Sequence, residues 1–163
     1  MFDAALLDQA RDVLDAARAR NIRIVTAESC TGGLIAALLT EIPGSSDVVE
    51  RGFVTYSNEA KEEALGVSAA LLSKYGAVSD QVARAMADGA LHHARAQLAI
   101  AVTGIAGPGG GSAEKPVGLV YIAVADSSGI ASHEYRFGDI GRSEVRLATV
   151  REALKLLSAA VSC

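Results

Sequence analysis

Three apolar runs, Ile22 to Ala27, Gly52 to Tyr56 and Leu98 to Val102, have the length of strands. Each empties directly into a cluster of small polar and glycine residues, reading AESCTGG, TYSNEAK and TGIAGPGGG. Runs that lie parallel in one sheet deliver all three clusters to the same edge, where open α/β sheets collect ligands beyond the carboxyl ends of their strands. That edge is the candidate active site.

The segments between the runs read as helices. Phe2, Leu6, Ala10, Val13, Leu14 and Ala17 recur at helical spacing and predict an amphipathic helix ending near Arg20 and Asn21. After AESCTGG, a helix starting at Gly32 or Gly33 runs through LIAALLTEI until Pro43 and Gly44 stop it. Ser57 and Asn58 are good caps for a helix carrying Lys61, and Ser79 to Ala96 predicts another, with Val82, Ala85, Met86, Gly89 and Ala90 inward. Gly118 to Ala125 and Ile130 to Phe137 read as two more strands joined by a turn at Asp126 to Gly129, hence antiparallel neighbours. Leu147, Val150, Leu154, Leu157 and Val161 mark a final helix. The expected fold is α/β, a three-layer α/β/α sandwich with a mixed, mostly parallel sheet of about five strands, one domain over residues 1–163.

Composition narrows the function classes. At 163 residues, 50% of them hydrophobic, the chain can bury one sizeable core. A net charge of −4 provides no basic stripe for nucleic acid or an anionic membrane, and no apolar stretch approaches the roughly 20 residues that span a bilayer. The acidic amino terminus does not read as a secretory signal, so a cytoplasmic location is expected. Two cysteines, Cys30 and Cys163, imply no disulfide framework, and His92, His93 and His133 lack metal-ligand spacing.

At the strand ends, Ser29 and Thr31 lie between a strand and a helix start, whose amides could hold an anion or oxyanion. Equally, either residue could simply cap that helix. Lys61 shares a helix face with Ala64, Leu65 and Ser68, so it either loses hydration and becomes a neutral base or snorkels to water. Service as a base at neutral pH needs its pKa to fall by about 3 units, roughly 4 kcal/mol that burial must impose. Tyr56 could donate a hydrogen bond or stack on a ring, or sit on the rim. Thr103 precedes a glycine run, Gly104 to Lys115, that suits close backbone approach to a ligand. Arg142 and Arg146 lie one turn apart near the start of the last helix, where the macrodipole disfavours cations; an anion, or pairing with Asp139 or Glu144, would resolve the conflict. Cys30 is a rival nucleophile, but adjacent extended residues face opposite ways, so Ser29 and Cys30 should not both enter the site.

AESCTGG, RGFVTYSNEAK, AVTGIAGPGGG and EKPVG, taken together from Ala27 to Gly118, resemble the carboxyl-terminal domain of the CinA family, the nicotinamide-nucleotide amidases. The resemblance implies hydrolysis of the carboxamide of nicotinamide mononucleotide to nicotinate mononucleotide and ammonia, with neither metal nor cofactor. It makes Ser29 the nucleophile and Lys61 its base, with Tyr56 and Thr103 supporting the pair or the amide. Glu28, Thr31, Gly32, Gly33, Asn58, Gly104, Gly107, Arg142 and Arg146 are then the expected substrate-binding residues. The tail departs from the family pattern, reading GDIGRSEVR where GDR closely followed by a second arginine is usual. Longer members carry an amino-terminal nucleotide-processing domain, so a stand-alone amidase is expected here. Its partner is a small nucleotide, with neither nucleic acid nor membrane, and its assembly a homo-oligomer, a dimer first. The rival readings are a non-catalytic nucleotide-binding module and a competence- or damage-associated interaction protein.

Overall fold

Strand β1 (Ile24–Glu28) is the hinge of the architecture, because two strands that both follow it in the chain pair with its opposite edges. The computed structural model describes residues 2–162. In chain order the other elements are α1 (Ala4–Ala19), α2 (Leu34–Thr40), β2 (Val49–Val54), α3 (Asn58–Leu65), α4 (Ala69–Tyr75), α5 (Asp80–His92), β3 (Leu98–Gly104), β4 (Leu119–Asp126), β5 (Gly129–Arg136) and α6 (Arg142–Ser162). The sheet order is β2-β1-β3-β4-β5. The chain leaves β1 to one side for β2 and returns on the other side for β3, which creates a topological switch point at the carboxyl ends of β1 and β3.

Residue alternation assigns the two faces. Ile24 of β1 with Leu98, Ile100, Val102, Val120 and Ile122 packs under α1, α2 and α6, and Val25 and Ala27 with Ala99, Ala101, Ala123 and Ala125 pack under α3, α4 and α5. The second face is paved almost entirely with alanine, which lets α5 lie close to the sheet. Helices on both faces make the three layers expected.

The expectation of a mostly parallel sheet is corrected. β1 pairs in parallel with β2 and β3, whereas β3 with β4 and β4 with β5 are antiparallel, two pairs of each kind. The cause is the β3–β4 connection: it crosses no face as a helix, so the chain returns antiparallel beside the strand it has just left. β2 also begins earlier than its apolar run, at Val49, because its register is fixed by Ile24 to Glu28 on β1 and ends where that partner ends.

Two helix readings also shift. Gly66, at φ +68°, ends α3, so Ser68 does not share the Lys61 face but caps α4 by accepting a hydrogen bond from the Leu71 amide. Helix α4 has no counterpart in the sequence reading, since it buries only Leu72 and shows no periodicity over its seven residues. Ala85 is half-buried, and Ala83 and Ala87 take the inward positions on α5 beside Val82, Met86, Gly89 and Ala90. No helix among the described residues is long and apolar enough to cross a membrane. Cys163 lies outside the described residues.

Candidate active site

The carboxyl ends of β1, β2 and β3 open onto a cavity of about 280 Å3. Ser29 follows β1 directly, Thr103 is the penultimate residue of β3, and Lys61 rises from the first turns of α3, whose amino end Ser57 caps by accepting from the Ala60 amide. Lys61 is 1% exposed and Ser29 8% exposed, and the lysine Nζ lies 3.0 Å from the serine Oγ. A second hydrogen bond runs from Lys61 Nζ to the Thr55 carbonyl at 2.9 Å.

Burial pushes the Lys61 ammonium below its ordinary value. No carboxylate stands among the residues lining the cavity, so nothing there restores the charged form through an ion pair. The sequence offered a snorkelling lysine and a desolvated one; this lysine is desolvated. In its neutral form, a hydrogen directed at the Thr55 carbonyl leaves the amine lone pair for the Ser29 hydroxyl. The expectation that Ser29 and Cys30 would not both enter the site is corrected, since the chain turns directly after β1 and both line the cavity; Cys30 is nonetheless buried, and its thiol is pushed up to about 12 by desolvation, so it stays protonated at neutral pH.

At the mouth, Arg142 donates to the Gly107 carbonyl at 2.8 Å and to the Tyr56 hydroxyl at 2.7 Å, joining the glycine loop to the end of β2. Tyr56 is 59% exposed, a rim residue whose hydroxyl reaches Arg142 rather than Ser29 or Lys61. Thr103 is buried and donates to the Ala77 carbonyl at 2.8 Å. Asn58, Gly104 and Gly107 also line the cavity.

Glu28, Thr31, Gly32, Gly33 and Arg146 do not stand on the cavity wall. Both Glu28 oxygens are occupied: Oε2 accepts from the Thr31 hydroxyl and the Ile35 amide, and Oε1 from the Ala36 amide. The amides at the start of α2 therefore serve Glu28, which neutralises them from within the chain. Gly32 and Gly33 take positive φ values of +60° and +98° to turn the chain from β1 into α2. Arg146 bonds the Cys30 and Thr31 carbonyls.

Sequence reasoning missed Ala77 and Val78, which form a wall between α4 and α5, and the Thr55 carbonyl that orients Lys61. The sequence carried no signal for either, since both act through backbone or bare apolar surface. A larger cavity of about 490 Å3 is bordered by Asp80, Tyr121, Ser132 and Glu134.

The CinA C-terminal domain matches residues 7–161. The chain belongs to this family. A CinA-like protein of Geobacter sulfurreducens is 54% identical over 140 residues, which is 86% of this chain and 34% of that protein. The chain thus spans about a third of the length of the first curated relatives it matches. Coverage is mutual with a protein of Escherichia coli named nicotinamide-nucleotide amidohydrolase PncC, 48% identical over 159 residues, 96% of this chain and 95% of that one. The crystal structure of the competence/damage inducible protein CihA from Agrobacterium tumefaciens has a TM-score of 0.96 at 55% identity, over 100% of this chain and 99% of that chain. Within the CinA C-terminal domain family, then, the nucleotide amidohydrolase name belongs to a relative matched end to end.

Proposed function

We propose that this CinA C-terminal domain hydrolyses the carboxamide of nicotinamide mononucleotide, giving nicotinate mononucleotide and ammonia. The observation that carries the reading is the 3.0 Å contact between a buried lysine amine and a serine hydroxyl on the floor of a cavity free of carboxylates. The end-to-end similarity to the Escherichia coli amidohydrolase supports the choice of substrate.

In this reading neutral Lys61 takes the Ser29 proton as the oxygen attacks the carboxamide carbon. The resulting oxyanion needs donors, and each well-placed one is worth roughly 3 to 4 kcal/mol. The Cys30 amide, which follows the nucleophile in the chain, makes no hydrogen bond to another residue among the described residues and is one candidate. Collapse breaks the C–N bond, and Lys61 passes its proton to the leaving nitrogen, releasing ammonia and leaving an ester on Ser29. Water then attacks that ester while Lys61 again accepts a proton, and the carboxylate product leaves with Ser29 restored.

Arg142 is the cation placed to meet the phosphate, since it stands at the mouth rather than beside the nucleophile, on a wall with no competing acid. Ammonia release from nicotinamide mononucleotide by the purified protein, absent from Ser29→Ala, tests the reading. Nucleotide binding with no ammonia from the unsubstituted chain would instead favour a non-catalytic nucleotide-binding module.

A further inference from the structure

Arg142 and Arg146 stand one turn apart on α6, and by spacing alone they form a matched pair of anion ligands. Only Arg142 reaches the cavity. Arg146 donates from Nε to the Cys30 carbonyl at 3.2 Å and from Nη2 to the Thr31 carbonyl at 2.9 Å. Its Nη2 also lies 3.4 Å from where a Cβ on Gly32 would stand, so the guanidinium fits the turn over three consecutive residues.

Glu28 holds the same turn, also through Thr31. Its carboxylate, wholly buried, accepts from the Thr31 hydroxyl at 2.6 Å, from the Ile35 amide at 3.0 Å and from the Ala36 amide at 2.9 Å. In the chain Ser29 lies between Glu28 and Cys30, the residue whose carbonyl Arg146 engages. The segment needs both clamps, because Gly32 and Gly33 give the backbone wide conformational freedom just where the nucleophile must be fixed. A carbonyl engaged by a guanidinium also sets the plane of its peptide and polarises the amide on the far side of that peptide. For the Cys30 carbonyl, that amide belongs to Thr31.

We propose that Arg146, together with Glu28, is a positioning residue that holds Ser29 in register with Lys61, and that it is not a ligand of the substrate phosphate. The proposal rests on the reading of Ser29 as nucleophile.

Two readouts test it on Arg146→Ala, with Arg142→Ala alongside. The first is kcat and KM for nicotinamide mononucleotide and for its dephosphorylated nucleoside. The second is the rate at which a fluorophosphonate labels Ser29 without nucleotide, followed by peptide mass at a temperature where circular dichroism shows the variant folded. Arg146→Ala should lower kcat for both substrates by one common factor, about tenfold or more, leave both KM values within about twofold, and slow the labelling of Ser29 comparably. Arg146→Lys should fall between, since an ammonium keeps the charge but lacks the planar pair of donors.

A folded Arg146→Ala that labels at the unsubstituted rate overturns the proposal, as does a rise in KM confined to the phosphorylated substrate. Should Arg146→Ala not fold, Glu28→Gln carries the same measurements, since it keeps the side-chain size but exchanges one acceptor for a donor; unchanged labelling there also overturns the proposal. If the unsubstituted protein resists labelling at Ser29, the nucleophile reading itself fails and takes the proposal with it.

Discussion

Gly89 of α5 faces the Leu65 carbonyl at the end of α3 with no room for a Cβ between them. Leu65 closes the helix that carries Lys61, so the glycine sets how near the candidate base can come to the sheet.

Gly89→Ala should therefore push α3 outward. The neighbouring atoms are backbone and cannot rotate away, so a destabilisation of about 1–3 kcal/mol is expected, typical of overpacking. Chemical denaturation measures it. Because α3 takes Lys61 with it, the folded fraction should also lose turnover, and full specific activity in a destabilised variant would contradict the link.

Activity should rise with pH along a limb set by Lys61, because only the neutral amine can take the Ser29 proton. Burial lowers that pKa from 10.5, so the limb in kcat/KM should have its midpoint clearly below that value. A limb at the ordinary lysine value would show that Lys61 is not the base.

The same burial ties stability to pH. Between the folded and unfolded pKa values of Lys61 the unfolded chain binds more protons, so stability rises with pH there; the penalty is complete below the folded value and vanishes above about 10.5. Lys61→Met removes the penalty. It should abolish turnover and raise Tm relative to the unsubstituted chain, with the difference largest at neutral pH and shrinking toward pH 10.5. A Tm difference that stays constant from pH 7 to 10 would contradict this.

Arg142→Ala should raise KM for nicotinamide mononucleotide more than for the nucleoside, by roughly the tenfold or more that a charge-assisted contact to phosphate supplies. Steady-state kinetics on both substrates decide it, and equal effects exclude a phosphate contact at this residue.

Cys30 should be inert despite sitting next to Ser29. With its thiol pushed up to about 12, iodoacetamide at pH 8 should leave Cys30 unmodified in the native protein, as peptide mass would show, and activity should persist. Rapid alkylation at Cys30 with loss of turnover would reopen the cysteine as a nucleophile.

Much of the fold was legible because its signals are local. The apolar runs LAIAV and LVYIAVA, the glycine at the β4–β5 turn and the helix starts at Ser57 and Ser79 each act over a few residues. The balance of parallel and antiparallel pairs was not legible, since it turns on whether a long glycine loop crosses a face or returns beside its own strand. Helix α4 escaped for lack of periodicity. Among the site residues, Ser29 and Lys61 stand out as a hydroxyl at a strand end and an amine near a helix start. Arg146 reads like Arg142, because helical spacing says which residues share a face but not what that face meets.

By itself the sequence determined the alternation of strands and helices and the polar cluster that follows each of three strands, since apolar runs and turn chemistry are properties of short stretches. Only the tertiary structure decided that residues 32 positions apart approach within 3.0 Å, that Lys61 is stripped of water, and that one arginine faces the cavity while the next braces the backbone. Those outcomes depend on which surfaces close over which side chains, and burial is a property of the packed whole.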